Sequence, residues 1–333
     1  MLRNRKLLSL LIGLLIIGLF LTGCGSQSAT KSEGGKEPYK VGVILDISGP
    51  GSSLGIPERD TVVMIAEEIN KSGGINGHPI ELLVEDNKSD ETESKLLVKK
   101  LVDQGALAIV GSSTSGTSMA MTGAATNAEI PMVSAAANEK IVTPVSDRKW
   151  VFKTAQSDSL VVEKIITYLK SKGLTKIAFA SVNSKFGDGG RAVFEAAAAN
   201  AGITILGMEK FGEKDVDMTP QITNIKKLNP QAVISWAIPP AASIFTKNYR
   251  ELDVAAPLIE SHGIGNKKFI ELAGDTADGV IFPIGKLLVA EGLPDTDPQK
   301  AVLVDYATKF EAKYGARNTF GGHAWDSLKI VMA

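Results

Sequence analysis

From residue 39 onward, unbroken apolar runs alternate with stretches whose apolar residues recur every three or four positions. Val41-Gly42-Val43-Ile44-Leu45 is continuous, as expected of a parallel strand covered on both faces. Val62, Ile65, Ala66 and Ile69 then fall on one helical face, and Gly73-Gly74 closes that helix. Glu81-Leu82-Leu83-Val84 reads as the next strand. Asp90, with Glu93 three residues on, forms a capping-box variant that opens a helix carrying Leu97 and Leu101. Ala108-Ile109-Val110 predicts a buried strand, which gives way to a loop made only of Gly, Ser and Thr (residues 111–118). A helix is expected from Met119-Ala120-Met121, and a short strand at Met132-Val133-Ser134.

A second set of elements follows Trp150-Val151-Phe152-Lys153. Val162, Ile165, Ile166 and Leu169 mark a helix ended by Gly173, and Ile177-Ala178-Phe179-Ala180 a strand. An Ala-rich helix is predicted over 191–201, a strand over 203–206, a helix through Ile222 and Ile225, and a strand over 232–235. Ile80 to Ala108 and Thr204 to Ala232 are each 28 residues, strand to strand across one helix. The pattern predicts an α/β protein of two similar, doubly wound parallel-sheet lobes.

The first residues do not fit that alternation. Arg3, Arg5 and Lys6 precede an apolar run over 7–21, long enough for a signal peptide and short of the ~20 residues that span a bilayer. Leu21-Thr22-Gly23-Cys24 resembles the lipobox of bacterial lipoproteins, which implies cleavage after residue 23 and a lipid on Cys24. Residues 24–38 are too polar to fold and read as a flexible tether. The expected location is outside the cytoplasm, anchored by lipid to the outer face of the cytoplasmic membrane, or periplasmic. Cys24 is the only cysteine, so no internal disulfide and no cysteine metal cluster can form. The chain carries 36 basic and 37 acidic residues; without Arg3, Arg5 and Lys6 the balance is 33 to 37, which leaves no footprint for nucleic acid.

Chemistry concentrates in the Ser/Thr loop. Hydroxyls and unpartnered N–H groups at a helix N-terminus favour anions, so Ser113, Ser115 and Thr117 are candidates to hold a ligand carboxylate. The plainer alternative is that Ser115 or Thr117 only caps the helix. Gly49-Pro50-Gly51-Ser52-Ser53-Leu54-Gly55 has the spacing of a dinucleotide-binding turn, and with Glu85, Asp86 and the Tyr168/Lys172 pair it offers the alternative of an oxidoreductase using NAD(P). Pro50 inside the turn, and Lys172 at a helix C-terminus where a cation complements the dipole, count against it. There is no GxSxG or HExxH motif, and His78, His262 and His323 have no metal-ligand spacing. No enzyme, catalytic residue, cofactor or metal is therefore expected.

Five ordered stretches carry a family resemblance: residues 43–50, 69–77, 134–138, 185–187 and 272–279. With them the body resembles the solute-binding proteins of ABC transporters, of the leucine/isoleucine/valine-binding type, which have the type I periplasmic-binding-protein fold. The resemblance implies lobe 1 over 39–153, lobe 2 over 154–283, a return to lobe 1 over 284–333, and a ligand cleft at a hinge. It implies a small carboxylate or amino-acid ligand, a membrane permease as partner, and a monomer. A receptor that reports its ligand to a sensor would share the same pocket.

Position by position, the resemblance puts carboxylate and ammonium contacts at Ser115, Ala136 and Asn138. It puts a covering aromatic at Phe186 and apolar walls at Leu54 and Phe320. Where the family has an acid for the ligand's ammonium, this chain has His262, which argues for an aromatic or keto acid. If the alignment slips by two, Glu260 takes the acidic part and the ligand is an amino acid. Family members also run several tens of residues past the position of Ala333, so the chain is expected to be a fragment.

Overall fold

The computed structural model describes residues 36–333. The expected signal peptide, Cys24 and most of the tether lie outside them. Among the described residues, no helix is long and apolar enough to cross a membrane.

Lobe 1 is built on β1 (Tyr39–Leu45), α1 (Ser52–Lys71), β2 (Ile80–Asp86), α2 (Glu91–Asp103), β3 (Ala108–Val110), α3 (Ser115–Asn127), β4 (Met132–Ser134) and β5 (Val151–Lys153). Its strands lie in the order β2-β1-β3-β4-β5, all parallel. Lobe 2 continues with α4 (Asp158–Ser171), β6 (Lys176–Val182), α5 (Lys185–Ala201), β7 (Thr204–Phe211), α6 (Thr219–Lys227), β8 (Ala232–Trp236), α7 (Ala241–Glu251), β9 (Leu258–Glu260) and α8 (Lys267–Ala273). Its parallel order, β7-β6-β8-β9, repeats that of lobe 1. The equal spacing seen in the sequence runs from the first residue of β2 to that of β3, and from the first residue of β7 to that of β8.

The chain ends in α9 (Lys300–Tyr314) and α10 (Thr319–Met332). Ala324 and Leu328 of α10 are buried with Val41, Val43, Val62 and Ile65, so the last helix completes the core of lobe 1. Burying that helical face against α1 and the sheet contributes roughly 25 cal/mol per Å2 of apolar surface removed from water.

Two helices begin earlier than the apolar pattern predicts. α3 starts at Ser115, not near Met119: Thr114 is the extended residue before it, and its side chain does not cap the helix. Neither Ser115 nor Thr117 is the cap. α5 starts at Lys185, not at 191, because Ser184 caps it by accepting from the Gly187 N–H. Its glycines look like loop residues, yet they mark close approach. A Cβ at Gly187 would overlap the Val182 carbonyl, and one at Gly190 would overlap the indole of Trp236. Trp236 is completely buried and stacks on Phe179 at 6.2 Å between ring centroids. Gly190→Ala should therefore push α5 off β8 and lower stability by about 1–3 kcal/mol, read as a fall in the urea midpoint with an unchanged slope.

Candidate functional site

The first turn of α3 is organised from beneath by one carboxylate. Asp46, at the end of β1, is fully buried. It accepts from Ser112 Oγ at 2.6 Å, Asn87 Nδ2 at 3.0 Å, Thr117 Oγ1 at 3.0 Å and Thr114 Oγ1 at 3.0 Å. Its own N–H donates to Ser113 Oγ at 3.1 Å. Gly55 lets α1 pass against the Asp46 backbone, since a Cβ there would overlap the carbonyl. The hydroxyls of Ser112 and Thr114 thus point inward, and that of Thr117 is engaged by Asp46 and Thr114. Among the described residues, the Ser115 hydroxyl and the N–H groups of Ser115, Gly116 and Thr117 have no protein partner.

These groups face a cavity of about 180 Å3 lined from both lobes. Lobe 1 contributes Leu54, residues 113–117 and Ala135 to Ala137, and α10 adds Phe320 and His323. Lobe 2 contributes residues 183–186, Glu213, Ile238 and His262. The N-terminus of α5 faces the cavity too, with the Lys185 and Phe186 N–H groups unpartnered among the described residues. Two helices of 13 and 17 residues, one per lobe, therefore aim their positive ends at the same space.

Ser113, Ser115, Thr117, Ala136, Phe186, His262, Leu54 and Phe320 all line it. Thr117 can offer its N–H but not a free hydroxyl proton. Asn138 stands apart. Its Oδ1 accepts from the Lys140 N–H at 2.9 Å, and its Nδ2 donates across the cleft to the Lys185 carbonyl at 2.7 Å, so it ties the lobes together. His323 was not singled out by the pattern; it reaches the cavity because α10 folds back onto lobe 1.

His262 and Glu260 point to opposite surroundings. Glu260 pairs in register with Ser235 and lies wholly buried, with Thr246 Oγ1 donating to Oε1 at 3.1 Å. Burial pushes its carboxyl up to about 8, against a smaller opposing effect of the Ser235 and Thr246 hydroxyls. It does not line the cavity. His262 does, packed edge-on to Phe186 and Trp236 at 5.5 and 5.8 Å, and burial drives its imidazole down to about 3. Two carboxylates are also present on the lining. Glu91 lies against Gly116, and Glu213, near Ser184, is pushed up by burial. Among the described residues, no group of His, Cys, Asp or Glu is placed to hold a metal.

Residues 38–333 match the family model for periplasmic binding proteins. The chain belongs to that family. It is 23% identical to the leucine-, isoleucine-, valine-, threonine- and alanine-binding protein of Pseudomonas aeruginosa, over 83% of this chain and 72% of that one. An extracellular ligand-binding receptor from Rhodopseudomonas palustris HaA2 superposes with a TM-score of 0.83 at 27% identity, covering 89% of this chain and 81% of the other. A branched-chain amino acid transporter substrate-binding protein from Streptococcus pneumoniae, in complex with isoleucine, gives 0.79 at 25% identity over 89% and 83%. As in this family of periplasmic binding proteins, the fold is two α/β lobes; the glycine turn considered for a dinucleotide instead carries α1 past Asp46.

Two substitutions check this account. Asp46→Ala strands several buried donors at once, and should cost at least about 2–3 kcal/mol in chemical denaturation. Glu260→Gln tests the buried carboxyl. Its folded value, about 8, is raised above the ordinary 4.5, so the folded state holds a proton that the unfolded chain releases. Its stabilising contribution is complete below about pH 4.5 and is lost as pH rises towards 8. Melting temperatures from pH 5 to 8.5 should therefore fall less steeply in Glu260→Gln than in the parent.

Proposed function

We propose that this chain is the extracytoplasmic solute-binding component of an ABC importer, and that it captures a small carboxylate and passes it to a membrane permease. The observation that supports this reading is the pair of helix N-termini, one from each lobe, whose free N–H groups and the Ser115 hydroxyl face one cavity. An anion bound there bridges the lobes and favours their closed arrangement over the open one. The carboxylate is received at residues 115–117, and Leu54, Phe186 and Phe320 cover its apolar body. Catalysis has no part in this reading. Export by the signal sequence and a lipid on Cys24 belong to the same proposal.

The ligand class follows from the residue facing the cavity. A neutral imidazole at His262 supplies no counter-charge to an ammonium, and a buried unpaired charge costs several kcal/mol. We therefore favour an aromatic or keto acid over a branched-chain amino acid. Glu91 and Glu213 on the lining favour a second reading, in which an amino acid turns its ammonium towards them; the amino acids named for the relatives point the same way.

Calorimetry decides between the two. Benzoate or 4-methyl-2-oxopentanoate should bind, and leucine at least tenfold more weakly; tight leucine binding overturns the ligand reading. Ser115→Ala should weaken the bound acid about 10- to 100-fold, the worth of one hydrogen bond to a charged group, with the melting temperature of the free protein unchanged.

A further inference from the structure

Two of the three histidines of the chain line the cavity, and they arrive from opposite lobes. His262 follows β9 of lobe 2, whereas His323 lies on α10, which is packed into lobe 1. Neither is paired with protein at the buried face of its ring: Nδ1 of His262 and Nε2 of His323 have no partner. His262 is only 3% exposed. An orphaned polar atom buried this deeply costs about 1–3 kcal/mol unless a ligand or water satisfies it.

Both rings are neutral. Burial holds His262 near 3 and His323 near 4, with smaller effects from the Lys153 ammonium on both and from His323 on His262. Lys153 is itself occupied, donating to the Ala155 carbonyl at 2.6 Å, with Asp158 and Glu139 as the acids that act on it. Asp326, one turn along α10 from His323, has its carboxyl pushed up by burial alone. The rings are thus left without a carboxylate partner to draw protons onto them.

A neutral imidazole carries one N–H and one lone pair. A ligand carboxylate only accepts, an ammonium only donates, and a carbonyl only accepts. A hydroxyl does both, so it alone among these can receive from one ring while donating to the other. We propose that His262 and His323 form a hydroxyl-binding subsite shared between the lobes, so that among the acids held there those carrying a hydroxyl are preferred. This deepens the carboxylate reading above and rests on it. The hydroxyl then acts as a second bridge between the lobes, beside the carboxylate at α3 and α5.

The test uses two series matched in body. One is 4-methylpentanoate with its 2-hydroxy, 2-oxo and 2-amino (leucine) forms; the other is benzoate, 4-hydroxybenzoate and terephthalate. Binding is measured by calorimetry on the exported protein. In at least one series the hydroxy acid should bind tenfold or more tighter than its parent acid, with that preference constant from pH 6 to 8. It should vanish in His262→Phe and in His323→Phe. If a Phe variant does not melt cooperatively, the corresponding Gln variant, which keeps a donor and an acceptor, should retain the preference. Parent and hydroxy acids binding equally in both series would overturn the subsite while leaving the carboxylate reading intact. A preference that survives loss of both rings would overturn it as well, as would terephthalate binding that tightens as pH falls, because that means the rings take up protons. Leucine binding tightest would instead overturn the reading beneath it.

Discussion

The Asp46 carboxylate is the constraint on which the lobe 1 wall of the cavity depends. A charge with no exposure to water is tolerable only when its lone pairs are filled, and here Ser112, Thr114, Thr117 and Asn87 fill them. Ser112, Thr114 and Asn87 lie on loops at the carboxyl ends of strands, and Thr117 lies in the first turn of α3. Satisfying one buried group therefore fixes the path from β3 into α3 and the turn that follows β2. Ser and Thr are indifferent helix formers, and their runs compete with the helix through local hydrogen bonds. Asp46 takes those hydroxyls out of competition and leaves the backbone N–H groups of the first turn to the cavity.

The electrostatics of the cleft follow from this arrangement. Positive helix ends from both lobes converge on an interior whose two imidazoles are uncharged, while the carboxylates of Glu91 and Glu213 also face in. For the carboxylate proposed above, the attraction comes from these fixed dipoles and not from charge on the imidazoles. Asn138 already joins them through the Lys185 carbonyl, without touching the cavity itself. Lys185 thus serves both sides: its carbonyl holds the lobe contact, and its N–H stays unpartnered among the described residues on the cavity lining.

Glu260 and His262 show how narrow the margin was for reading the site from sequence. Two residues apart, both buried, they differ in the volume they address. Glu260 still belongs to β9 and turns towards Ser235 and Thr246 of lobe 2. His262 has left the strand for a 3-10 turn, where Ser261 Oγ accepts from the Gly263 N–H. The switch from strand to turn at Ser261 is what sends the imidazole into the cleft. An apolar pattern three residues long cannot carry that information, because alternation predicts facing only while the strand continues.

The sequence by itself determined the alternating α/β organisation and its doubling. Central parallel strands must be apolar on both faces and helices on one, and both periods are visible in a single chain. It also made the Ser/Thr loop a candidate, because hydroxyls and unpartnered N–H groups at a helix N-terminus favour anions, with helix capping as the plainer alternative. Tertiary structure decided where α3 begins, through Asp46. The start of α5 rests on the local Ser184 cap, which the apolar period does not carry, and its glycines are explained only by their packing on Val182 and Trp236. Tertiary structure alone brought His323 to the cavity, through a C-terminal helix that returns to the first lobe. Local pattern fixes which face of an element is buried, but only packing between distant elements fixes what that face meets.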